Sequence, residues 1–211
     1  MAGGVRSEMT EAEYLAYDAS HDGKYEFVNG EMIVLRESSD LQGSETSAMA
    51  GATLAHALLT ANAQAGLRSR LRGRPCLALG SDLRVRIDET GLYAYPDVSV
   101  SCEPREFAPT NPPTLLNPTV IVEVIAPSTV VNDLGVKFEH YRRRASIQTV
   151  LLVDSRARAV TRYSRNANGT WTLEDHVDGD VPVVGLDVTL TMDELYEGWT
   201  PELAAPPVAP G

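Results

Sequence analysis

The chain has 211 residues, with 18 Lys and Arg against 29 Asp and Glu, a net charge of −11, and 43% hydrophobic and 22% charged residues. This is the profile of a soluble globular chain, read as one domain over residues 1–200 with a disordered proline-rich tail over 201–211. No run of 18 apolar residues and no apolar signal core is present, so neither a membrane span nor secretion is expected, and the acidic balance argues against a protein that coats nucleic acid.

A chain of this length buries roughly 70% of its unfolded surface and needs no disulfide to hold a core. Cys76 and Cys102 fit no Cys-x-x-Cys or Cys/His zinc spacing, so they read as buried or idle thiols in a reducing cytoplasm. Positive charge is concentrated at Arg68, Arg70, Arg72 and Arg74 and again at Arg142, Arg143 and Arg144, which leaves room for a local basic groove.

In chain order, Thr10-x-x-Glu13 is a capping box ahead of a short helix over 8–19. Tyr25-Glu26-Phe27-Val28 and Glu31-Met32-Ile33-Val34 flank Asn29-Gly30, the strongest short hairpin signal. Residues 37–46 are polar and read as a loop. An Ala/Leu-rich helix over 47–65 should bury Leu54, Leu58 and Ala61. Leu83, Val85 and Ile87 alternate with Asp82, Arg84 and Arg86 in a half-exposed strand, and Val98 and Val100 mark another. The proline-rich interval 104–118 reads as a loop. It leads into Thr119-Val120-Ile121-Val122-Glu123-Val124-Ile125, a helix over 133–144 and a strand over 149–154, a parallel strand, helix, strand crossover. Strands at 158–164 and 170–176 should form a hairpin.

Glu123 carries the most chemical information. A carboxylate among branched aliphatics of a strand covered on both faces is withdrawn from water, and an unpaired buried carboxylate costs several kcal/mol. A cation, a lysine or a raised pKa must compensate. Lys137 is placed to do so: with Leu134, Phe138 and Tyr141 on the core face of the following helix, Lys137 falls about 60° from Leu134 and about 40° from Tyr141. Asp97 opens the strand after Pro96, and if that strand neighbours Glu123 the two carboxylates can share a hard cation such as Mg²⁺. A nearby lysine then steadies charge developing on phosphorus.

Tyr95-Pro96-Asp97, the stretch from Val122 to Thr129, the stretch from Asp133 to Tyr141, and Val150-Leu151-Leu152-Val153-Asp154 together resemble the Uma family of putative restriction endonucleases. Tyr25-Glu26-Phe27-Val28-Asn29-Gly30-Glu31 matches its N-terminal hairpin. The resemblance runs from about residue 9 to 198 and extends to the PD-(D/E)xK nuclease superfamily. It implies an α/β, restriction-endonuclease-like fold: a mixed β-sheet flanked by helices, with an N-terminal β-hairpin. It also implies Asp97 and Glu123 as metal carboxylates, Lys137 as the catalytic lysine, and Glu26 and Asp82 as further acidic candidates. Two departures stand out. The position two after the glutamate, where the superfamily carries its lysine, is Ile125, and residues 44–50 lack the histidine of the family's first long helix.

The expected activity is hydrolysis of phosphodiester bonds, with DNA as the polymer, Mg²⁺ or Mn²⁺ as the cofactor and a cytoplasmic homodimer as the working form. The arginine clusters would contact phosphates. The alternative is a catalytically silent binding or regulatory module with a structural Glu-Lys pair. A small phosphate ester is a third substrate class. His21, His56, His140 and His176 read as ordinary structural or surface residues.

Overall fold

Thr10 caps the first helix as expected: its hydroxyl accepts from the Glu13 amide and the Glu13 carboxylate returns to the Thr10 amide. In the computed structural model, which describes residues 5–6, 9–37, 53–125 and 131–204, strand β1 (Val5–Arg6) and helix α1 (Glu11–Ser20) precede the hairpin β2 (Gly23–Val28) and β3 (Glu31–Glu37). Asn29 and Gly30 both take positive φ, 52° and 85°, which a two-residue turn between twisted strands requires. Glu37 ends β3, and the rest of the polar interval read as a loop lies outside the described residues.

Helix α2 (Leu54–Arg70) starts after its cap Thr53; the expected start at 47 lies outside the described residues. Its buried stripe is Ala55, Leu59, Ala63, Gly66 and Leu67, whereas Leu54 is 65% exposed. The face expected from Leu54, Leu58 and Ala61 is out of phase with this stripe, because the larger leucines of the sequence do not all face the core. The observed stripe is rich in small residues because neighbours come close. A Cβ on Gly66 would lie 2.8 Å from Glu194 Oε1 and 2.9 Å from Leu190 Cδ2.

The chain continues through β4 (Cys76–Gly80), β5 (Arg84–Ile87), β6 (Leu92–Ala94), β7 (Val98–Cys102), β8 (Phe107–Ala108), β9 (Thr114–Leu115), β10 (Val120–Ile125), α3 (Val131–Tyr141), β11 (Thr149–Asp154), β12 (Val160–Arg165) and β13 (Trp171–His176). It ends with β14 (Asp180–Val183), β15 (Val188–Thr191), α4 (Met192–Leu195) and a 3-10 turn at Pro201–Ala204. That turn falls within the stretch expected as a disordered tail; residues 205–211 lie outside the described part.

One mixed sheet has the order β1-β3-β2-β6-β5-β9-β8, the other β13-β12-β11-β10-β7-β4, and β14 and β15 form a hairpin. The crossover is as expected: α3 joins β10 to the parallel neighbour β11, and β12 and β13 pair antiparallel. One face of the six-stranded sheet packs Val98, Val122, Val124 and Leu151 against Leu59, Ala63 and Leu67 of α2 and Leu190 of β15. The opposite face packs Ile121 and Val150 against Tyr141 of α3 and Val85, Leu92 and Leu115 of the other sheet. Glu123 lies on this second face, in register with Leu152.

Two expectations are corrected. Arg84 is not a solvent-facing residue of an alternating strand; it is fully buried, pairs with Asp18 of α1, donates to Thr114 Oγ1 at 2.8 Å and to the Pro112 carbonyl at 3.1 Å, and lies over the Tyr93 ring. The alternation fails because both faces of β5 are covered. Cys76 and Cys102 are not idle thiols. They stand opposite each other in the β4/β7 register and are joined as a disulfide, a cross-strand proximity that a separation of 26 residues does not reveal.

Candidate active site

Strand β10 delivers Glu123 to the centre of the six-stranded sheet, where it is 6% exposed. Its antiparallel neighbour β7 pairs Val98 with Val122, so the next rung places Asp97 beside Glu123. Asp97 Oδ2 accepts from the Val124 amide at 2.7 Å, which closes the sheet edge with a side chain where the β7 backbone stops. From α3, Lys137 Nζ lies 3.9 Å from Glu123 Oε1 and 2.9 Å from Glu26 Oε1. Glu26 comes from β2 of the other sheet, is 2% exposed, and also accepts from the Tyr95 amide at 3.2 Å. Tyr141, one turn after Lys137, donates its hydroxyl to Glu123 Oε1 at 2.7 Å.

Burial pushes the Glu123 carboxyl up; Lys137 opposes that, Asp97 and Glu26 add to it, and the Tyr141 hydrogen bond opposes it, leaving the group pushed up to about 7. Burial also keeps the Tyr141 proton in place well above the usual tyrosine range, so the phenol remains a donor.

His56, which the sequence marks as an ordinary residue, has its Nε2 3.3 Å from Asp97 Oδ1. Burial pulls the imidazole down, but the hydrogen bond and charge of Asp97, with a contribution from Glu123, hold its pKa above the usual value. The signal was the Thr53 cap: its hydroxyl accepts from the His56 amide, fixing His56 in the first turn of α2. The interval 44–50, which lacks a histidine in the sequence, lies outside the described residues; α2 (Leu54–Arg70) carries His56 in its first turn. Tyr141 was read only as a core marker; its spacing of four from Lys137 places both on one side of the helix.

The other candidates sit elsewhere. Asp82 lies in the turn between β4 and β5, its side chain 94% exposed and paired with Lys24 at 2.7 Å. Arg68 and Arg70 are at the far end of α2, roughly 20 Å along the helix from His56, with Arg72 and Arg74 just beyond. Arg70 is paired with Glu194 at 2.6 Å, and Arg68, Arg72 and Arg74 are exposed. Arg142 and Arg143 follow α3 directly and are exposed, with Arg142 paired to Glu139 at 2.7 Å. Arg144 pairs with Glu89 at 3.3 Å.

Among the described residues no group of three or more His, Cys, Asp and Glu side chains forms a cation cage. Mg²⁺ does not demand one: it is held by one or two carboxylates and completes its shell with water and substrate oxygens. Asp97, just ahead of β7, and Glu123 of β10 are the two carboxylates that could hold such a cation.

The family model described as a putative restriction endonuclease matches residues 11–193. Two uncharacterized proteins of Synechocystis sp. (strain PCC 6803) are similar to the chain. One is 28% identical over 192 residues, covering 90% of this chain and 93% of its own; the other is 31% identical over 167 residues, covering 79% and 86%. The crystal structure of a putative nuclease belonging to DUF820 from Anabaena variabilis superposes with a TM-score of 0.63 at 18% identity, covering 93% of this chain and 99% of that one. At that identity the likeness is one of fold.

Proposed function

The chain belongs to the Uma2 family of putative restriction endonucleases, and from that membership we propose that it is a Mg²⁺-dependent endonuclease hydrolysing phosphodiester bonds of DNA. The observation that carries the reading is the buried Glu123, flanked by Asp97 just ahead of the neighbouring strand and by Lys137 from the crossover helix. Asp97 and Glu123 would hold the cation, which when bound supplies a Lewis acid for the phosphate and a more acidic water. His56 orients Asp97 from one side as the Val124 amide does from the other. Lys137 stands beside the carboxylates, where its positive head steadies charge that develops on the phosphoryl oxygens. Glu26 holds that head in place. Arg142 and Arg143, exposed just past the end of the lysine helix, would meet phosphate oxygens of the polymer. In a homodimer two such centres would address two strands.

Asp97→Ala and Glu123→Ala should each abolish Mg²⁺-dependent plasmid cleavage with circular dichroism unchanged. Retained cleavage in either variant rejects these roles. A catalytically silent binding module is the second reading, favoured by the closer approach of Lys137 to Glu26 than to Glu123. Mn²⁺ titration separates the two: the nuclease shows saturable binding and a rise in Tm, the silent module shows neither.

A further inference from the structure

Glu123 has two carboxylate oxygens, and the protein engages them unequally. Oε1 accepts from Tyr141 at 2.7 Å and faces Lys137 Nζ at 3.9 Å, while Oε2 makes no hydrogen bond or ion pair among the described residues. Both occupants of Oε1 come from α3 and are four residues apart. Tyr141 is 1% exposed and packs among Ile121, Leu115, Ile147 and Val150, a setting in which phenylalanine would satisfy packing alone. The hydroxyl therefore has a use beyond filling space, and its acceptor among the described residues is Glu123.

We propose that Tyr141 is a positioning residue for Glu123: it captures Oε1 and so holds the carboxylate with Oε2 presented to the cation. This rests on the reading of Glu123 as a cation carboxylate. A glutamate has three side-chain torsions, and a carboxylate free to swivel would have to be ordered when the cation arrives. A fixed one already carries that ordering.

The test is the Mn²⁺ dissociation constant of the full chain, read from free Mn²⁺ by electron paramagnetic resonance. Tyr141→Phe keeps the ring and removes the donor. It should weaken Mn²⁺ binding about 10- to 100-fold, the usual range for loss of a group that orients a ligand, while the metal-free Tm stays within about a few degrees. Glu123→Asp keeps the charge but draws it back from Tyr141 by one methylene. It should weaken binding as well, and adding Tyr141→Phe to it should cost nothing further, because the contact is already broken. Glu123→Asp also carries the test if Tyr141→Phe fails to fold. Unchanged affinity in Tyr141→Phe or in Glu123→Asp, or full additivity in the double variant, overturns the positioning role with the cation reading intact. No saturable binding by the unsubstituted chain overturns the cation reading itself, and this inference with it.

Discussion

Lys137 and Glu26 stand 111 positions apart, on a helix and on a strand of different sheets, and their charged heads meet at 2.9 Å. A lysine two residues after the glutamate would be aimed by its own strand; position 125 is instead an isoleucine, and the cation arrives from α3 on a long, rotatable side chain. Glu26, nearly buried and itself fixed by the Tyr95 amide, supplies the aim that the strand does not. Three carboxylates and one lysine gathered out of water set the energetics of the centre.

Removing one partner leaves the other buried and uncompensated, a loss of about 3–5 kcal/mol in buried pairs. Lys137→Met should therefore lower stability by an amount of that order and abolish cleavage. Glu26→Gln combined with Lys137→Met should recover most of the stability and none of the cleavage. Urea denaturation beside a plasmid assay reads both, and recovered cleavage in the double variant would remove Lys137 from the chemistry.

The raised pKa of Glu123 gives a signed pH dependence. The unfolded chain releases this proton near 4.5 and the folded one near 7, so between those values the folded state binds more protons. Stability from this group is present below about 4.5 and is lost as pH rises toward about 7. Metal-free Tm should fall from pH 5 to pH 8, and Glu123→Gln should flatten the slope. His56, also raised, acts in the same direction over its own range. A Tm that climbs over this interval and is unaffected by Glu123→Gln would contradict the assignment.

Arg84 and Asp18 are fully and almost fully buried, with the guanidinium also spent on Thr114 and the Pro112 carbonyl. Arg84→Met alone should cost about 3–5 kcal/mol by leaving Asp18 unpaired. Asp18→Leu with Arg84→Met should cost much less. Equal losses in the single and double variants, measured by urea denaturation, would show that the pair is not what the single substitution breaks.

The Cys76 to Cys102 bridge spans 26 residues, and loop-closure entropy alone gives about 3.5 kcal/mol for a loop of that size. Cys76→Ser with Cys102→Ser should lower the denaturation midpoint, and dithiothreitol should lower it in the parent but not in the variant. A midpoint insensitive to both would mean that the thiols are not bridged in solution.

The capping box at Thr10, the Asn29-Gly30 hairpin, the β10-α3-β11 crossover and the enclosure of Glu123 are written in the order of residues, because each depends on neighbours a few positions away: a side chain reaching its own helix terminus, a turn that needs positive φ, a strand too apolar to face water. Lys137 was legible for the same reason, since helical spacing sets it about 40° from Tyr141 on one side of α3. What the chain order could not disclose is who meets whom across the fold. His56 beside Asp97, Glu26 rather than Glu123 as the closer partner of Lys137, Arg84 drawn inside by Asp18, and the two cysteines brought opposite one another are matters of register and sheet packing. A charge finds its counterpart through space, and only the assembled sheets place residues from distant segments within the 3 to 4 Å over which hydrogen bonds and ion pairs act.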